Sequence, residues 1–199
     1  MQHALRVVDR EEHTPIPNPV DAGGWHLKVD DAANAFVGLS RNYGFKAFAL
    51  VDISKRYNER LLPSIELTNL VPAFLSCLKD EGPLGDCSLF RVLEQTCRPF
   101  SWRSGVNAFT GLTNSKQTEA SDKEFDELLS AFNIKGGFCV PVHDPRGKRS
   151  VVIYFGDNID NSQQRENLIM DTISIFDGAN RYEQEQKAAS KAQLNARQV

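Results

Sequence analysis

Hydrophobic residues recur at helical spacing in three stretches of the chain, and each stretch predicts an amphipathic helix. The first runs from Val29 to Tyr43, with two aspartates in its first turn and Gly44 after its last apolar residue; both features are typical of helix ends. The second begins at Ser121, which can form a capping box with Glu124. The third extends from Ser162 to about Gln193 without a proline. The apolar face of the second helix is formed by Phe125, Leu128, Leu129 and Phe132.

Short apolar runs between these helices predict strands. Phe45–Ile53 is long enough for a buried strand and too short for a helix, and Ile65–Thr68 predicts a second strand. Phe138–Val142 and Ser150–Phe155 flank a run of turn residues and predict a hairpin. Because a proline has no N–H to donate, Pro141 is expected at a strand end or at an outward-facing position.

The remaining segments predict two short helices and two loops. The helices are expected around residues 71–79 and 88–96, with breakers at 81–85 between them. Residues 54–60 and the polar stretch 104–120 predict loops. These elements together predict an α/β fold, in which one antiparallel sheet carries helices on both faces.

The chain divides into three parts. Residues 1–24 contain prolines and a Gly-Gly pair without sustained periodicity, and they predict a mobile or loosely docked arm. Residues 25–180 form the expected folded domain. After Tyr182 the sequence turns to Glu, Gln, Lys and Ala, which favour a helix but have nothing to bury. Residues 181–199 therefore predict a linker helix or dimerisation stalk, and a frayed C-terminus is the alternative.

Composition excludes several classes of protein. A formal net charge of -3 argues against direct nucleic-acid binding by this segment, because phosphate binding needs a basic surface. No apolar run approaches the roughly 18 residues of a membrane span, and the N-terminus lacks the apolar core of a signal peptide. A cytoplasmic protein is expected. No Ser/His/Asp order, Gly-rich phosphate loop or paired-carboxylate pattern is present to predict an enzyme.

The cysteines predict neither zinc nor disulfides. Cys77, Cys87, Cys97 and Cys139 are scattered, without a C-x-x-C pair or clustered histidines. Disulfides are rare in a reducing compartment. Cys139 lies in an apolar run and is expected to behave as a small buried hydrophobe.

Four segments resemble, in the same order, motifs of LuxR-type autoinducer-binding domains. The resemblance implies an α-β-α sandwich related to GAF and PAS sensors. It also implies a quorum-sensing transcription regulator, whose helix-turn-helix DNA-binding domain would follow this chain. The segments are Tyr43–Phe48, Pro99–Trp102, Phe132–Gly137 with Val140–His143, and Leu194–Gln198, which resembles the start of the helix-turn-helix domain.

The resemblance further implies a pocket between the sheet and residues 69–102, which in the family holds an acyl-homoserine lactone. There a tryptophan N–H binds the lactone carbonyl and an aspartate accepts the amide N–H. Trp102 and Asp86 match these roles, although Asp86 precedes Cys87 where the family has proline. The upstream tryptophan and tyrosine of the family are also missing. The candidate ligand-binding residues are Trp102, Asp86, Phe74 and Cys139.

Each candidate has a structural alternative. Trp102 can be a core aromatic whose N–H binds backbone, and Asp86 can be a helix N-cap. Gly136 and Gly137 are expected to serve the helix-to-strand turn rather than a ligand. His143 is expected to be solvated in its turn.

Two functions remain open after these arguments. The first is a small-molecule sensor that controls an attached DNA-binding domain. The second is a ligand-independent module for homo- or heterodimerisation, as in LuxR-type regulators of the VisN/VisR class that govern motility. In both, DNA would be contacted only through the missing helix-turn-helix domain, and no cofactor or membrane contact is expected.

Overall fold

The computed structural model of the protein describes residues 6–7, 28–54, 56–57, 60–61, 63–80, 87–104, 116–157 and 159–196. Within these ranges the chain forms five helices and eight strands. The helices are α1 (Val29–Asn42), α2 (Pro72–Asp80), α3 (Ser88–Gln95), α4 (Lys116–Ala131) and α5 (Ser162–Ala196). The strands are β1 (Arg6–Val7), β2 (Phe45–Asp52), β3 (Arg56–Tyr57), β4 (Arg60–Leu61), β5 (Ser64–Thr68), β6 (Phe100–Arg103), β7 (Gly136–His143) and β8 (Arg149–Gly156).

Six strands form one sheet in the order β1-β5-β2-β8-β7-β6. β1 runs parallel to β5, and the other neighbours are antiparallel. β3 and β4 form a separate two-stranded sheet within the predicted loop 54–60 and just beyond it. The predicted central antiparallel sheet and the predicted hairpin are confirmed.

The sheet is buried on both faces. Along β8, Val151, Ile153 and Phe155 point to one core, and Val152 and Tyr154 point to the other. The first core packs against α2, α3 and α4, and the second against α1 and α5. Because both faces are covered, the central strands carry continuous apolar runs in place of polar alternation. The predicted arrangement of helices on both faces is therefore confirmed.

The two helical layers differ in side-chain size. On α1, Ala32, Ala33 and Ala35 are buried, and these small side chains let its backbone come close to β2 and α5. Among the described residues, α2, α3 and α4 make few close backbone contacts with the sheet. Aromatic side chains fill the space beneath them: Phe74, Phe90, Trp102, Phe125, Phe132 and Phe155.

Two predictions about the start of α4 are wrong. α4 begins at Lys116, so residues 116–120 are helical, and Ser121 lies inside the helix and is not its N-cap. Gln117, Glu119 and Ala120 are good helix formers and extend it backwards. β6 was not predicted as a strand, because four residues are too few to show a period.

Pro141 is buried within β7 and does not face outward. β6 pairs with β7 only as far as Cys139, so the ladder on that side ends before Pro141. On the predicted apolar face of α5, Leu168, Ile175 and Phe176 are buried, whereas Ile173 is 37% exposed.

At both ends of the chain the structure shows elements beyond those predicted. Arg6 and Val7, within the predicted arm, pair with β5, and residues 8–24 lie outside the described residues. α5 continues through Leu194 to Ala196, while Arg197 and Gln198 lie outside the described part.

Candidate functional site

The turn from α4 into β7 is set by Asn133, which adopts a left-handed backbone with a φ of 54°. The Ile134 N–H donates to the Leu129 carbonyl at 2.8 Å, and the Asn133 N–H donates to the Ser130 carbonyl at 3.0 Å. These bonds form a Schellman motif, which satisfies carbonyls at a helix end. Ile134 and Leu129 also belong to the same core, so the turn fixes where β7 starts.

Trp102 of β6 lies opposite Gly137 of β7 and is 3% exposed. A Cβ atom on Gly137 would lie 2.9 Å from Cζ2 of the Trp102 indole and 1.8 Å from the Tyr154 carbonyl oxygen. A Cβ atom on Gly136 would lie 2.4 Å from the Trp102 carbonyl oxygen. The expectation that these glycines serve the turn is therefore wrong, because Asn133 makes the turn and the glycines allow close approach within the sheet.

Phe155 connects Trp102 to Phe74. Its ring centroid lies 5.8 Å from that of Trp102 and 5.9 Å from that of Phe74, with both pairs edge-on. The ring centroid of Phe125 of α4 lies 6.2 Å from that of Trp102, and the ring centroid of Phe132 lies 5.0 Å from that of Phe74. Edge-to-face pairs of this kind contribute roughly 0.5–1.5 kcal/mol each beyond their buried area. The aromatic residues thus form one continuous layer under α2, α3 and α4.

The two buried thiols in this layer, Cys87 and Cys139, are held in their unreactive, protonated form. Cys139 is fully buried, as predicted, and Cys87 is 2% exposed. Burial raises the pKa of Cys87 to about 12. Burial also raises the pKa of Cys139 well above its usual value, and nearby Cys87 adds to this effect. Because the thiolate is the reactive form, both thiols act as apolar lining.

A small cavity lies at the centre of this layer. It has a volume of about 20 Å³ and is lined by apolar side chains, among them Ile65, Phe90, Phe125 and Phe155. A space of this size holds about one water molecule. The cavity is far smaller than the several hundred cubic ångströms typical of a small-molecule site.

Three of the four candidate residues, Trp102, Phe74 and Cys139, come together in this one layer. Asp86 lies outside the described residues. The residue at the N-cap position of α3 is Cys87.

Asp122 of α4 holds the start of α3, and sequence analysis missed this contact. Its carboxylate accepts the Ser88 N–H at 2.7 Å and also the Ser88 hydroxyl. The contact leaves no local pattern in the sequence, because the carboxylate and the helix N–H that it binds belong to residues far apart in the chain. The contact joins α3 to α4 over the aromatic layer.

The sequence profile of the autoinducer binding domain family matches residues 28–182. The chain belongs to this family. Family membership makes it a domain of the signal-sensing, regulatory type, and the predicted resemblance to LuxR-type domains is confirmed. Comparison with curated proteins found no match.

Among solved structures, the chain is similar to the N-acylhomoserine lactone dependent LuxR family transcription factor CepR2 from Burkholderia cenocepacia. The TM-score is 0.52 and the identity 15%, over 79% of this chain and 88% of that one. At this identity the likeness shows the fold alone.

Two GAF domains also match in part. One is from a two-component sensor histidine kinase of Bacillus halodurans, with a TM-score of 0.46 and 13% identity over 81% of this chain and 98% of that one. The other is a GAF3 domain from Synechocystis in its photoproduct state, with a TM-score of 0.47 and 13% identity over 79% of this chain and 98% of that one.

None of the helices in the described ranges combines the length and the apolar character that a membrane span needs.

Proposed function

We propose that this chain is the sensor domain of a LuxR-type transcription regulator, which binds a small signal molecule and controls a helix-turn-helix domain attached after α5. The observation that carries the proposal is the convergence of Trp102, Phe74 and Cys139 in the aromatic layer between the sheet and α2, α3 and α4. The family profile covers this whole layer. The domain is proposed to act in the cytoplasm without catalysis.

The chemistry of the layer suits an amphiphilic ligand such as an acyl-homoserine lactone. Its apolar side chains would enclose an acyl chain. The Trp102 indole supplies an N–H donor for a carbonyl, and the Asp86 carboxylate is the proposed acceptor for an amide N–H. A mostly apolar site with a few directed polar groups is the usual design for small-molecule recognition.

The cavity lined by the described residues is only about 20 Å³, so we propose that the layer opens when a ligand enters. α3 and α4 make fewer close backbone contacts with the sheet than α1 does, and they are joined through Asp122 and Ser88. We therefore propose that these two helices move outward together. The ligand would select this open state and stabilise the fold by mass action.

The exposed half of α5 is the proposed route to the DNA-binding domain. Its side chains from Glu183 to Ser190 are mostly exposed, so they are available to a second copy or to a related regulator. A homodimer or a heterodimer would place two DNA-binding domains side by side. DNA would be contacted only through those domains, since this chain carries a formal net charge of -3.

Thermal unfolding with a series of acyl-homoserine lactones tests the proposal. At a ligand concentration about 100 times Kd, stabilisation of about 2.7 kcal/mol is expected, which raises Tm by several degrees. Trp102→Phe keeps an aromatic ring but lacks the N–H donor, so its Tm should rise less. An unchanged Tm at every chain length would refute the lactone-sensor version.

The small cavity favours one alternative, a ligand-independent dimerisation module with the same fold. In that case sedimentation of the purified chain would show a homodimer without any added signal, or a heterodimer would form when a related regulator is added. Lactones would then leave both the Tm and the sedimentation profile unchanged.

A further inference from the structure

Cys97 and His143 meet on the surface where the end of α3 approaches the end of β7. The Cys97 Sγ atom lies 3.8 Å from the His143 Nε2 atom, and both residues are exposed. The two residues are 46 positions apart in sequence, so only the fold brings them together. His143 is exposed as expected, but it has a thiol partner that sequence analysis did not predict.

Local structure holds both members of this pair. Cys97 follows Thr96, the C-cap residue of α3, and the Thr96 hydroxyl accepts the N–H of Arg98 at 3.0 Å. His143 is the last residue of β7 and pairs with Arg149 of β8. Arg149 in turn donates from Nη2 to the Leu93 carbonyl of α3 at 2.8 Å. The end of α3 is therefore fastened to the β7–β8 hairpin beside the thiol.

Cys97 differs from the other two described thiols, Cys87 and Cys139, which are buried. A cysteine nucleophile needs solvent access and a nearby base to take its proton. Cys97 has both, because it is exposed and an imidazole nitrogen lies at hydrogen-bonding distance from its sulfur.

We propose that Cys97 and His143 form a modification site for soft electrophiles of the α,β-unsaturated carbonyl class. His143 takes the thiol proton as the sulfur adds to the β-carbon of the electrophile. A C–S bond forms, the C=C π electrons move to an enolate, and the enolate takes the proton back from the imidazolium. The reaction adds one thiol to one alkene and needs no oxidant or leaving group.

The site lies at the end of the helix that closes the aromatic layer. α3 contributes Leu89, Phe90 and Leu93 to that layer. An adduct on Cys97 would lie beside the end of this helix. The proposal stands whether or not the layer binds a signal molecule.

N-ethylmaleimide, itself an α,β-unsaturated carbonyl compound, tests the site. The full chain is treated at neutral pH, and mass spectrometry of its peptides measures the labelling rate of each cysteine. Cys97 should react much faster than Cys87 and Cys139. His143→Gln should slow the labelling of Cys97 about fivefold, less than the roughly 100-fold effect of an enzymatic base because the pair is exposed.

Arg98→Gln is the matched control, because it removes an exposed positive charge next to Cys97 and leaves the imidazole in place. It should change the rate by less than about twofold. In denaturing urea the wild type and His143→Gln should label Cys97 equally. Circular dichroism checks that each variant is folded, and His143→Asn replaces the glutamine variant if that one unfolds.

Three results would overturn the proposal. Equal Cys97 rates in folded wild type and His143→Gln would show that the imidazole has no role. An equal loss in Arg98→Gln would assign the effect to general charge. Labelling of Cys87 or Cys139 as fast as that of Cys97 would show that the site has no selectivity.

Discussion

The indole of Trp102 lies against the backbone of Gly137, so closely that Cζ2 would be 2.9 Å from a Cβ atom at that position. The same Cβ atom would lie 1.8 Å from the Tyr154 carbonyl oxygen on the other neighbouring strand. No side chain longer than a hydrogen fits between β6 and β8 here. Gly137 therefore positions Trp102, the central candidate for ligand recognition.

Gly137→Ala is expected to lower the free energy of unfolding by about 3 kcal/mol, because the sheet must distort to accept a methyl group. The measurement is urea unfolding followed by circular dichroism. Gly147→Asn is the matched control. Gly147 has a φ of 84° and nothing within 4 Å of its Cβ position, and asparagine tolerates this backbone better than most residues. It should cost less than about 1 kcal/mol; equal costs for the two variants would contradict the close contact.

The Tyr154 hydroxyl and Thr172 connect the sheet to α5. The hydroxyl oxygens lie 2.8 Å apart, and the Thr172 hydroxyl donates to the Leu168 carbonyl at 2.6 Å. Thr172→Val leaves the buried tyrosine hydroxyl without this partner and should cost about 2 kcal/mol. Tyr154→Phe should cost about 1 kcal/mol, because Thr172 keeps its bond to Leu168.

The double variant should cost less than the sum of the two single changes, since both remove the same hydrogen bond. Chemical denaturation of the four proteins gives the coupling energy. Strict additivity would mean that the two hydroxyls do not interact in solution.

Alkaline pH should destabilise the domain through its buried thiols. The pKa of Cys87 rises from its ordinary value of about 9 to about 12 on folding, because burial disfavours the thiolate. The folded state then holds a proton that the unfolded state releases above pH 9. Stability from this group is complete below pH 9 and is lost as the pH rises toward 12.

Between pH 8 and 10 the Cys87 thiol should lower the free energy of unfolding by about 1 kcal/mol. Burial shifts the pKa of Cys139 in the same direction. Urea unfolding at several pH values measures the slope. Cys87→Ala should flatten the slope although it lowers stability at neutral pH. A slope that is the same in wild type and Cys87→Ala would contradict this assignment.

Asn133 offers a test of the turn that leads into β7. Asn133→Ala should cost about 1 kcal/mol, because alanine pays a larger penalty for a positive φ. Asn133→Gly should be neutral or slightly stabilising, because glycine adopts this backbone freely. Thermal unfolding of both variants checks the order, and a less stable glycine variant would argue against the left-handed turn.

The sequence predicted those parts of the fold that depend on periodicity. Apolar spacing alone predicts α1, β2, the β7–β8 hairpin and α5. In each of these elements, buried apolar residues recur at the spacing of a helix or a strand. The start of α4 was placed too late because a local capping signal at Ser121 competes with good helix formers before it. β6 was missed because pairing with β7, and not its own four residues, makes it a strand.

The candidate site was only partly predictable. Trp102, Phe74 and Cys139 were chosen by resemblance to a family, and the fold brings them into one layer. Contacts between distant residues had no signal in the sequence. The Asp122–Ser88 bond, the Cys97–His143 pair and the seating of Trp102 on Gly137 all depend on where separate elements meet in space.

The most direct test of the proposed sensor is the fluorescence of Trp102. The chain has two tryptophans, and Trp25→Phe leaves Trp102 as the sole emitter. If a lactone enters the aromatic layer, its addition should shift and quench the emission of Trp102 in a saturable way, at the concentrations that raise Tm. A lactone that raises Tm without changing this emission would place the ligand elsewhere, and a lactone series that changes neither would contradict the proposed sensor function.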